Sequence, residues 1–256
     1  MIVSHSHKFI FLKTKKTGGS SIRTLLARHL PGTDYLLAPS HPAEDFLLRH
    51  YGVYPRGFMD PDAPPVWEAE GDWWADSADA LSELRRTRGH RGPAAFEHFR
   101  VRAHAGSDQI RELVGERVFR SYFKFAFERN PWDRMVSLYL WNLRDDPLRT
   151  KAKPTWSSFE DFVRRKAGHP RVCNSNIYCA RADGGLAVDR LARFEDFAGE
   201  LAAIFRHIGL PFDGAALPRV KDGTRTQSYR AYYGPETVER VAASHRRAIE
   251  LMGYEF

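Results

Sequence analysis

Two short segments of the sequence bring together glycines, hydroxyls and cations in the manner of anion-binding turns. The first is KTGGSS, at residues 16–21. Gly18 and Gly19 let backbone N–H groups approach an anion closely, and Ser20 would begin a helix whose N-terminus favours negative charge. Lys16 precedes the glycines and supplies a mobile cation. The pattern predicts a phosphate-type site, and its alternative is a plain strand-to-helix turn with a serine cap.

The second segment, FKFAFERNPWDRMVSLY at residues 123–139, is an apolar strand followed at once by a helix. Asn130 is a favourable helix cap, and Arg129 stands directly before it at the exit of the strand. Ser137 follows about two turns later, on the same face of the helix. Because the planar fork of arginine suits a phosphate, Arg129 and Ser137 are predicted to hold one. In the alternative, Arg129 pairs with an internal carboxylate such as Glu195, and Ser137 bonds back to its own helix.

Alternating strands and helices would have to position these two turns. The apolar run at residues 9–12 predicts a strand buried on both faces, and the spacing of Ile22, Leu25 and Leu26 predicts a helix that ends at Pro31. A second strand is predicted at residues 123–127, and further helices at 157–163, at 194–208 and, as one long amphipathic helix, at 235–253. By itself this order shows an α/β protein.

The stretch at residues 38–95 interrupts the alternation. It is rich in proline, tryptophan and mixed charge, and it predicts an irregular insertion or lid within one domain that spans residues 1–256. Trp67, Trp73 and Trp74 could stack on the face of an acceptor molecule, or they could form a small satellite core.

Composition narrows the class of protein. A chain of 256 residues with 43% hydrophobic residues can bury a substantial core, and it contains no apolar run of about 18 residues that could span a membrane. The two cysteines, Cys173 and Cys179, form no disulfide framework, and we expect a soluble protein of a reducing cytoplasm. The net charge of +7 favours an anionic ligand, but dispersed basic residues without a nucleic-acid motif argue against sequence-specific nucleic-acid binding.

The order of the motifs resembles a known family. KTGGSS followed by RNPWDRMVSLY, together with RAHAGSDQI, LARFEDF and the tail SYRAYYGPETVERV, is similar to sulfotransferases that use 3′-phosphoadenosine 5′-phosphosulfate, especially their carbohydrate-type branch and its bacterial relatives. The resemblance implies a P-loop-kinase-like three-layer fold with a central parallel sheet flanked by helices. It also implies transfer of a sulfuryl group to a hydroxyl or amine of a carbohydrate or small-molecule acceptor, without a metal.

The resemblance assigns residues to the two ends of the donor. The loop for the 5′-phosphosulfate corresponds to Lys16, Thr17, Gly18, Gly19, Ser20 and Ser21. The pair for the 3′-phosphate corresponds to Arg129 and Ser137. A cation at the leaving phosphate oxygen would stabilise the transition state, and Lys16 fits this role by spacing, with Lys13 and Lys15 as competitors.

A general base would take the proton of the acceptor hydroxyl, and histidine is the natural choice. His104 matches the position where relatives carry a histidine followed by a small residue. His98 is the rival candidate, and Glu97 is a third.

Two other functions compete with sulfuryl transfer. A P-loop-like nucleotide kinase is disfavoured because the lysine precedes the glycines instead of following them as GK[ST]. A non-catalytic nucleotide-binding scaffold would keep the fold without the reaction. Lys221 and Arg225 lie in a stretch that often closes over the nucleotide in relatives, and either could touch a phosphate.

Overall fold

The computed structural model describes residues 1–31, 34–36, 104–144, 154–216, 225 and 227–256. The predicted insertion at 38–95, with its three tryptophans, lies outside these residues. So do two candidate bases, His98 and Glu97, and the candidate phosphate ligand Lys221.

Five strands in the described part of the chain form one sheet. They are β1 (Ile2–Ser4), β2 (Phe9–Leu12), β3 (Tyr35–Leu36), β4 (Phe123–Glu128) and β5 (Arg190–Arg193), and their order across the sheet is β3-β1-β2-β4-β5. Strands β2, β4 and β5 are mutually parallel, whereas β1 is antiparallel to both of its neighbours. The α/β class is therefore confirmed, and the sheet is mixed rather than wholly parallel because the short β1–β2 connection reverses the direction of the chain.

Nine helices in the described residues accompany the sheet. They are α1 (Gly19–Ala27), α2 (Ser107–Val114), α3 (Glu116–Ser121), α4 (Pro131–Leu143), α5 (Phe159–Lys166), α6 (Ser175–Tyr178), α7 (Phe197–His207), α8 (Pro235–Ser244) and α9 (Arg246–Met252).

Side chains alternate across the central strands, so both faces of the sheet are apolar. Phe9 and Phe11 of β2 face the same side as Phe125 and Phe127 of β4, where α1 and α7 cover them. Ile10 of β2 lies on the other face with residues of α2, α3 and α6. Helices on both faces give the predicted three layers.

A third apolar cluster joins four helices beyond the sheet. It contains Trp132 and Met135 of α4, Phe162 of α5, Val241 of α8 and Met252 of α9. This cluster fixes α4, the helix that follows the second anion-binding turn, against the C-terminal helices.

Two predicted helices differ from the observed ones. The helix after the glycines ends at Ala27, one turn before Pro31. The long C-terminal helix is broken at His245 (φ −118°, ψ 19°), where the hydroxyl of Ser244 bonds to Val241 O and lies 2.8 Å from the ring of His245. These side chains compete with the helical backbone for hydrogen bonds, which explains the break.

The register of the sheet positions the two turns. β2 and β4 are parallel neighbours, with Phe9 opposite Phe123 and Leu12 opposite Ala126. The chain leaves β2 into the first turn and leaves β4 into the second, so both turns lie at the same edge of the sheet. Ligands of α/β proteins bind at this carboxyl edge. None of the helices described here is long and apolar enough to cross a bilayer.

Candidate functional site

A cavity of about 670 Å³ opens at this edge, between the first turn, the C-terminal half of α4 and α5. Eight of the predicted site residues line it: Lys16, Gly18, Gly19, Ser20, Ser21, His104, Arg129 and Ser137. The ninth described one, Thr17, is buried beneath the first turn, where its hydroxyl lies 2.7 Å from that of Thr14. The structure therefore brings both predicted turns and the predicted base to one cavity.

The first turn requires glycine at two adjacent positions. Gly18 has a left-handed conformation (φ 72°), and a Cβ atom there would lie 2.6 Å from the ring of Phe197. A Cβ on Gly19 would lie 2.8 Å from Cγ of Lys13. A side chain is thus excluded at both Gly18 and Gly19, where α1 begins. Without these side chains, an anion can approach the backbone N–H groups at the N-terminus of the helix.

Lys16 also has a left-handed backbone (φ 62°), which for a residue with a Cβ costs roughly 1–2 kcal/mol. Its carbonyl oxygen accepts a hydrogen bond from Nη1 of Arg129 at 3.3 Å, and its ammonium lies 4.5 Å from the ring centre of Trp141. Strain of this kind persists only where neighbouring groups hold it, and it is concentrated at functional sites.

Arg129 lies where the sequence predicts it, at the exit of β4, but its carboxylate partner differs from the alternative considered. Asp133, one turn further on, accepts from Nε of Arg129 at 2.7 Å and from Nη2 at 2.6 Å. Glu195 instead accepts from the backbone N–H of Asn130 and the hydroxyl of Tyr254. An internal carboxylate therefore does pair with Arg129, as in the alternative, but it is Asp133 and not Glu195, because Asp133 follows at helical spacing and meets the guanidinium directly.

The Arg129 guanidinium also lies 4.4 Å from the ring centre of Phe194, which orients it toward the cavity wall. Asp133 forms a second ion pair, with Arg225. Arg225 is thus placed beside the second turn, although it is not among the described residues that line the cavity.

Ser137 is half-buried on the cavity wall, and its hydroxyl makes no hydrogen bond with a residue that the structure describes. The hydroxyl is thus available to a ligand, and the bond back to its own helix is not formed. The fully buried guanidinium of α4 is that of Arg134, which pairs with Glu128 at 3.3 Å and donates to Val172 O.

His104 is held by its backbone contact with the first turn. Its Nδ1 lies 2.7 Å from the carbonyl oxygen of Lys13. Since a carbonyl only accepts, Nδ1 carries the proton and Nε2 keeps its lone pair. Burial, followed by the charges of Lys13 and Lys15, lowers the pKa of His104 from 6.5 to about 3. The imidazole is therefore neutral and can accept a proton at Nε2.

A further residue of the site, Asn174, was not predicted from the sequence. It lies between α5 and α6, and its side-chain amide binds the backbone of Lys15, directly before the first turn. Its Oδ1 accepts from the N–H of Lys15 at 2.9 Å, and its Nδ2 donates to the carbonyl oxygen of Lys15 at 3.1 Å. The same Nδ2 donates to Glu128 at 3.1 Å. No local motif marks this asparagine, because its contacts join positions far apart in the chain.

The charges around the cavity are of one sign. Among the described residues that line it, all the formally charged side chains are cations and none is a carboxylate: Lys13, Lys15, Lys16, Arg129, Lys166 and Arg171. Burial of such a set favours a polyanionic ligand. The described residues also contain no group of three His, Cys, Asp or Glu side chains that could hold a metal ion.

Comparison with known proteins identifies the family of this chain. Residues 1–212 match the sequence profile of the sulfotransferase family, and the chain belongs to that family. An uncharacterized protein of Archaeoglobus fulgidus is 31% identical over 102 residues, which are 40% of this chain and 80% of that protein. A sulfotransferase from Alicyclobacillus acidocaldarius aligns over 97% of this chain and 96% of its own, with 18% identity and a TM-score of 0.39.

Proposed function

We propose that this member of the sulfotransferase family transfers a sulfuryl group from 3′-phosphoadenosine 5′-phosphosulfate to a hydroxyl or amine of a carbohydrate or small-molecule acceptor. The observation that carries the proposal is the meeting of two anion-binding turns in one cavity whose described charged residues are all cations. A donor with phosphates at both the 3′ and the 5′ position fits two separate turns. A donor such as ATP, with one phosphate chain, would leave the second turn without a partner.

The charges of the donor and the cavity are of comparable size. A 3′-phosphate carries close to two negative charges, and the phosphosulfate adds about two more. In the proposed arrangement, the first turn (residues 16–21) holds the 5′-phosphosulfate, and Arg129 and Ser137 hold the 3′-phosphate. The accessible N–H groups at the start of α1 and the guanidinium fork of Arg129 match these two oxyanions in chemistry.

The chemical step follows from the residues near the first turn. The donor supplies an activated sulfuryl group, so that its S–O bond to phosphate breaks as a new bond forms to the acceptor oxygen or nitrogen. Lys16 neutralises the charge that grows on the leaving phosphate oxygen. His104 accepts the acceptor's proton at Nε2, because Nδ1 is already committed to Lys13 O.

The acceptor is proposed to enter from the α5 side of the cavity. Here Trp156 contributes an aromatic wall, and Lys166 and Arg171 contribute positive charge. The ammonium of Lys15 donates to Arg171 O, and Lys15 is close enough to His104 to lower the pKa of that ring. This side therefore leads to the proposed base, and its chemistry suits a ring-containing acceptor that carries an acidic group.

Thermal unfolding with added nucleotides tests the proposal. We expect adenosine 3′,5′-bisphosphate, the expected product, to raise the melting temperature, and ATP with magnesium to leave it nearly unchanged. A shift with ATP–magnesium alone would favour a nucleotide kinase. A shift with the bisphosphate, but no sulfuryl transfer to any of a panel of hydroxyl and amine acceptors, would favour a non-catalytic scaffold.

A further inference from the structure

We propose that Asn174 is a positioning residue that, anchored on the buried carboxylate of Glu128, holds the first turn in the shape that receives the 5′ end of the donor. The proposal rests on the proposed function for the identity of that ligand. In this role Asn174 acts by binding the backbone of Lys15, and it need not touch the donor.

The amide of Asn174 acts on the backbone of a single residue. It accepts from the N–H of Lys15 and donates to the carbonyl oxygen of Lys15, at 2.9 and 3.1 Å. Both backbone groups of Lys15 are thus satisfied by one side chain, which is itself 1% exposed. The peptide planes of Lys15 cannot rotate without breaking these two hydrogen bonds.

Lys15 directly precedes Lys16, the residue with the strained backbone. Lys16 has φ 62°, and its carbonyl oxygen is held by Nη1 of Arg129. The turn is therefore fixed on both sides of the unfavourable conformation, by Asn174 at Lys15 and by Arg129 at Lys16 itself. We infer that these two contacts keep Lys16 in this conformation, since neither is local in sequence.

Glu128 prevents the amide of Asn174 from turning over. The carboxylate is fully buried and accepts from Nδ2 of Asn174 at 3.1 Å, so that the NH₂ group must face Glu128 and the oxygen must face the N–H of Lys15. Two further donors, the hydroxyl of Tyr178 at 2.8 Å and the N–H of Arg129 at 3.0 Å, hold the carboxylate in place.

The same carboxylate is thus connected to both turns. It bonds directly to the backbone of Arg129 in the second turn and, through Asn174, to Lys15, the residue directly before the first turn. These hydrogen bonds fix the distance between the two proposed phosphate sites, and they do so without a bound ligand.

Two probes separate this role from general damage to the fold. Adenosine 3′,5′-bisphosphate engages both turns, whereas adenosine 3′-phosphate engages only the second. In Asn174→Ala we expect the affinity for the bisphosphate to fall on the order of tenfold, the loss expected for one or two hydrogen bonds, and the affinity for adenosine 3′-phosphate to change less than about twofold. Asn174→Asp should lose at least as much, because it removes the donor and places a second carboxylate beside Glu128.

Asn176→Ala is the matched control. This exposed asparagine lies in the same segment and donates to Pro170 O, away from the first turn. It should leave both affinities unchanged. Amide hydrogen exchange supplies a readout without ligand: the N–H of Lys15 should exchange faster in Asn174→Ala and at the native rate in Asn176→Ala.

Equal weakening of both nucleotides in Asn174→Ala, or an unchanged exchange rate at Lys15, would overturn the proposal. A native protein that binds neither nucleotide would instead contradict the proposed function. The two failures are therefore distinguishable.

Discussion

Nη1 of Arg129 donates to the carbonyl oxygen of Lys16 at 3.3 Å, and so joins two turns that belong to different strands. The arginine of the proposed 3′-phosphate site is therefore also a support of the proposed 5′ site. Parallel pairing of β2 and β4 makes this contact possible, because it brings the ends of both strands to the same edge.

Arg129→Ala should lower the affinity for adenosine 3′,5′-bisphosphate by roughly 10- to 100-fold, since it removes a charge-assisted contact worth about 1.5–3 kcal/mol. Adenosine 5′-phosphate, which lacks the 3′-phosphate, should lose only the smaller part that comes from the contact of Arg129 with the carbonyl oxygen of Lys16. Calorimetric titration measures both. Arg164→Ala, which removes an exposed arginine paired with Glu160 and Glu236, is the control. Equal losses for both nucleotides would place Arg129 outside the 3′-phosphate site.

Lys16→Ala should lower kcat by roughly 100- to 1000-fold, with a small change in affinity for the bisphosphate, because the ammonium is proposed to act on charge that develops during transfer. The change keeps the Cβ and thus the backbone strain, so it reports on the ammonium alone. Release of bisphosphate in the presence of donor and acceptor measures turnover. Lys13→Ala and Lys15→Ala serve as comparisons, and a larger loss of kcat in either would move the leaving-group role to that lysine.

His104→Gln should reduce kcat by roughly 100-fold or more if His104 is the base. Because the pKa of His104 is lowered to about 3, the imidazole stays neutral in mildly acidic solution. We therefore expect kcat/KM of the native enzyme to be nearly flat between about pH 7.5 and pH 5.5, where an ordinary histidine would titrate. An acid limb near pH 6.5, or full activity in the variant, would transfer the role to another group, such as His98.

Gly18→Ala should destabilise the fold by more than about 1 kcal/mol and weaken bisphosphate binding, since it adds backbone strain and a contact of 2.6 Å with Phe197. Gly209→Ala isolates the strain: Gly209 has the same φ of 72°, but a Cβ there meets no atom within 4 Å. Chemical denaturation gives the free energy of unfolding for both. Similar losses in the two variants would show that the contact with Phe197 relaxes without cost.

His245→Asn should make the protein less sensitive to acid. Burial, assisted by the charge of Arg134, lowers the pKa of His245 from 6.5 to about 3. Between these pH values the unfolded state binds one more proton than the native state. The free energy of unfolding therefore decreases as the pH is lowered, by up to about 1.4 kcal/mol per pH unit. Denaturation at a series of pH values from about 6.5 to 4 should give a shallower slope in the variant.

The main elements of the site could be predicted because their signals are local. Asn130 does cap α4, with its Oδ1 accepting from the N–H groups of Trp132 and Asp133. Gly18 does have a positive φ at the start of α1. Capping and glycine geometry depend on neighbouring residues, which a sequence displays directly.

The remaining features depend on contacts between distant parts of the chain. Asn174 meets Lys15 only after β2, β4 and the segment before α6 have come together, so nothing near Asn174 in the sequence marks it. The carboxylate that pairs with Arg129 also differs from the example named in the alternative: Asp133 lies one helical turn away, whereas Glu195 is distant in the sequence. The antiparallel β1 was missed because a strand of three residues, of which only Ile2 and Val3 are apolar, carries too weak a pattern.

The double pairing of Asp133 alters how strongly salt should affect the proposed donor site. Arg129 and Arg225 both contact this carboxylate, so the three groups together carry one positive charge, not two. A 3′-phosphate that approaches Arg129 would therefore displace fewer counterions than the two arginines would suggest. Donor binding should then weaken less steeply with ionic strength than in an Asp133→Asn variant, in which both cations face the solvent uncompensated.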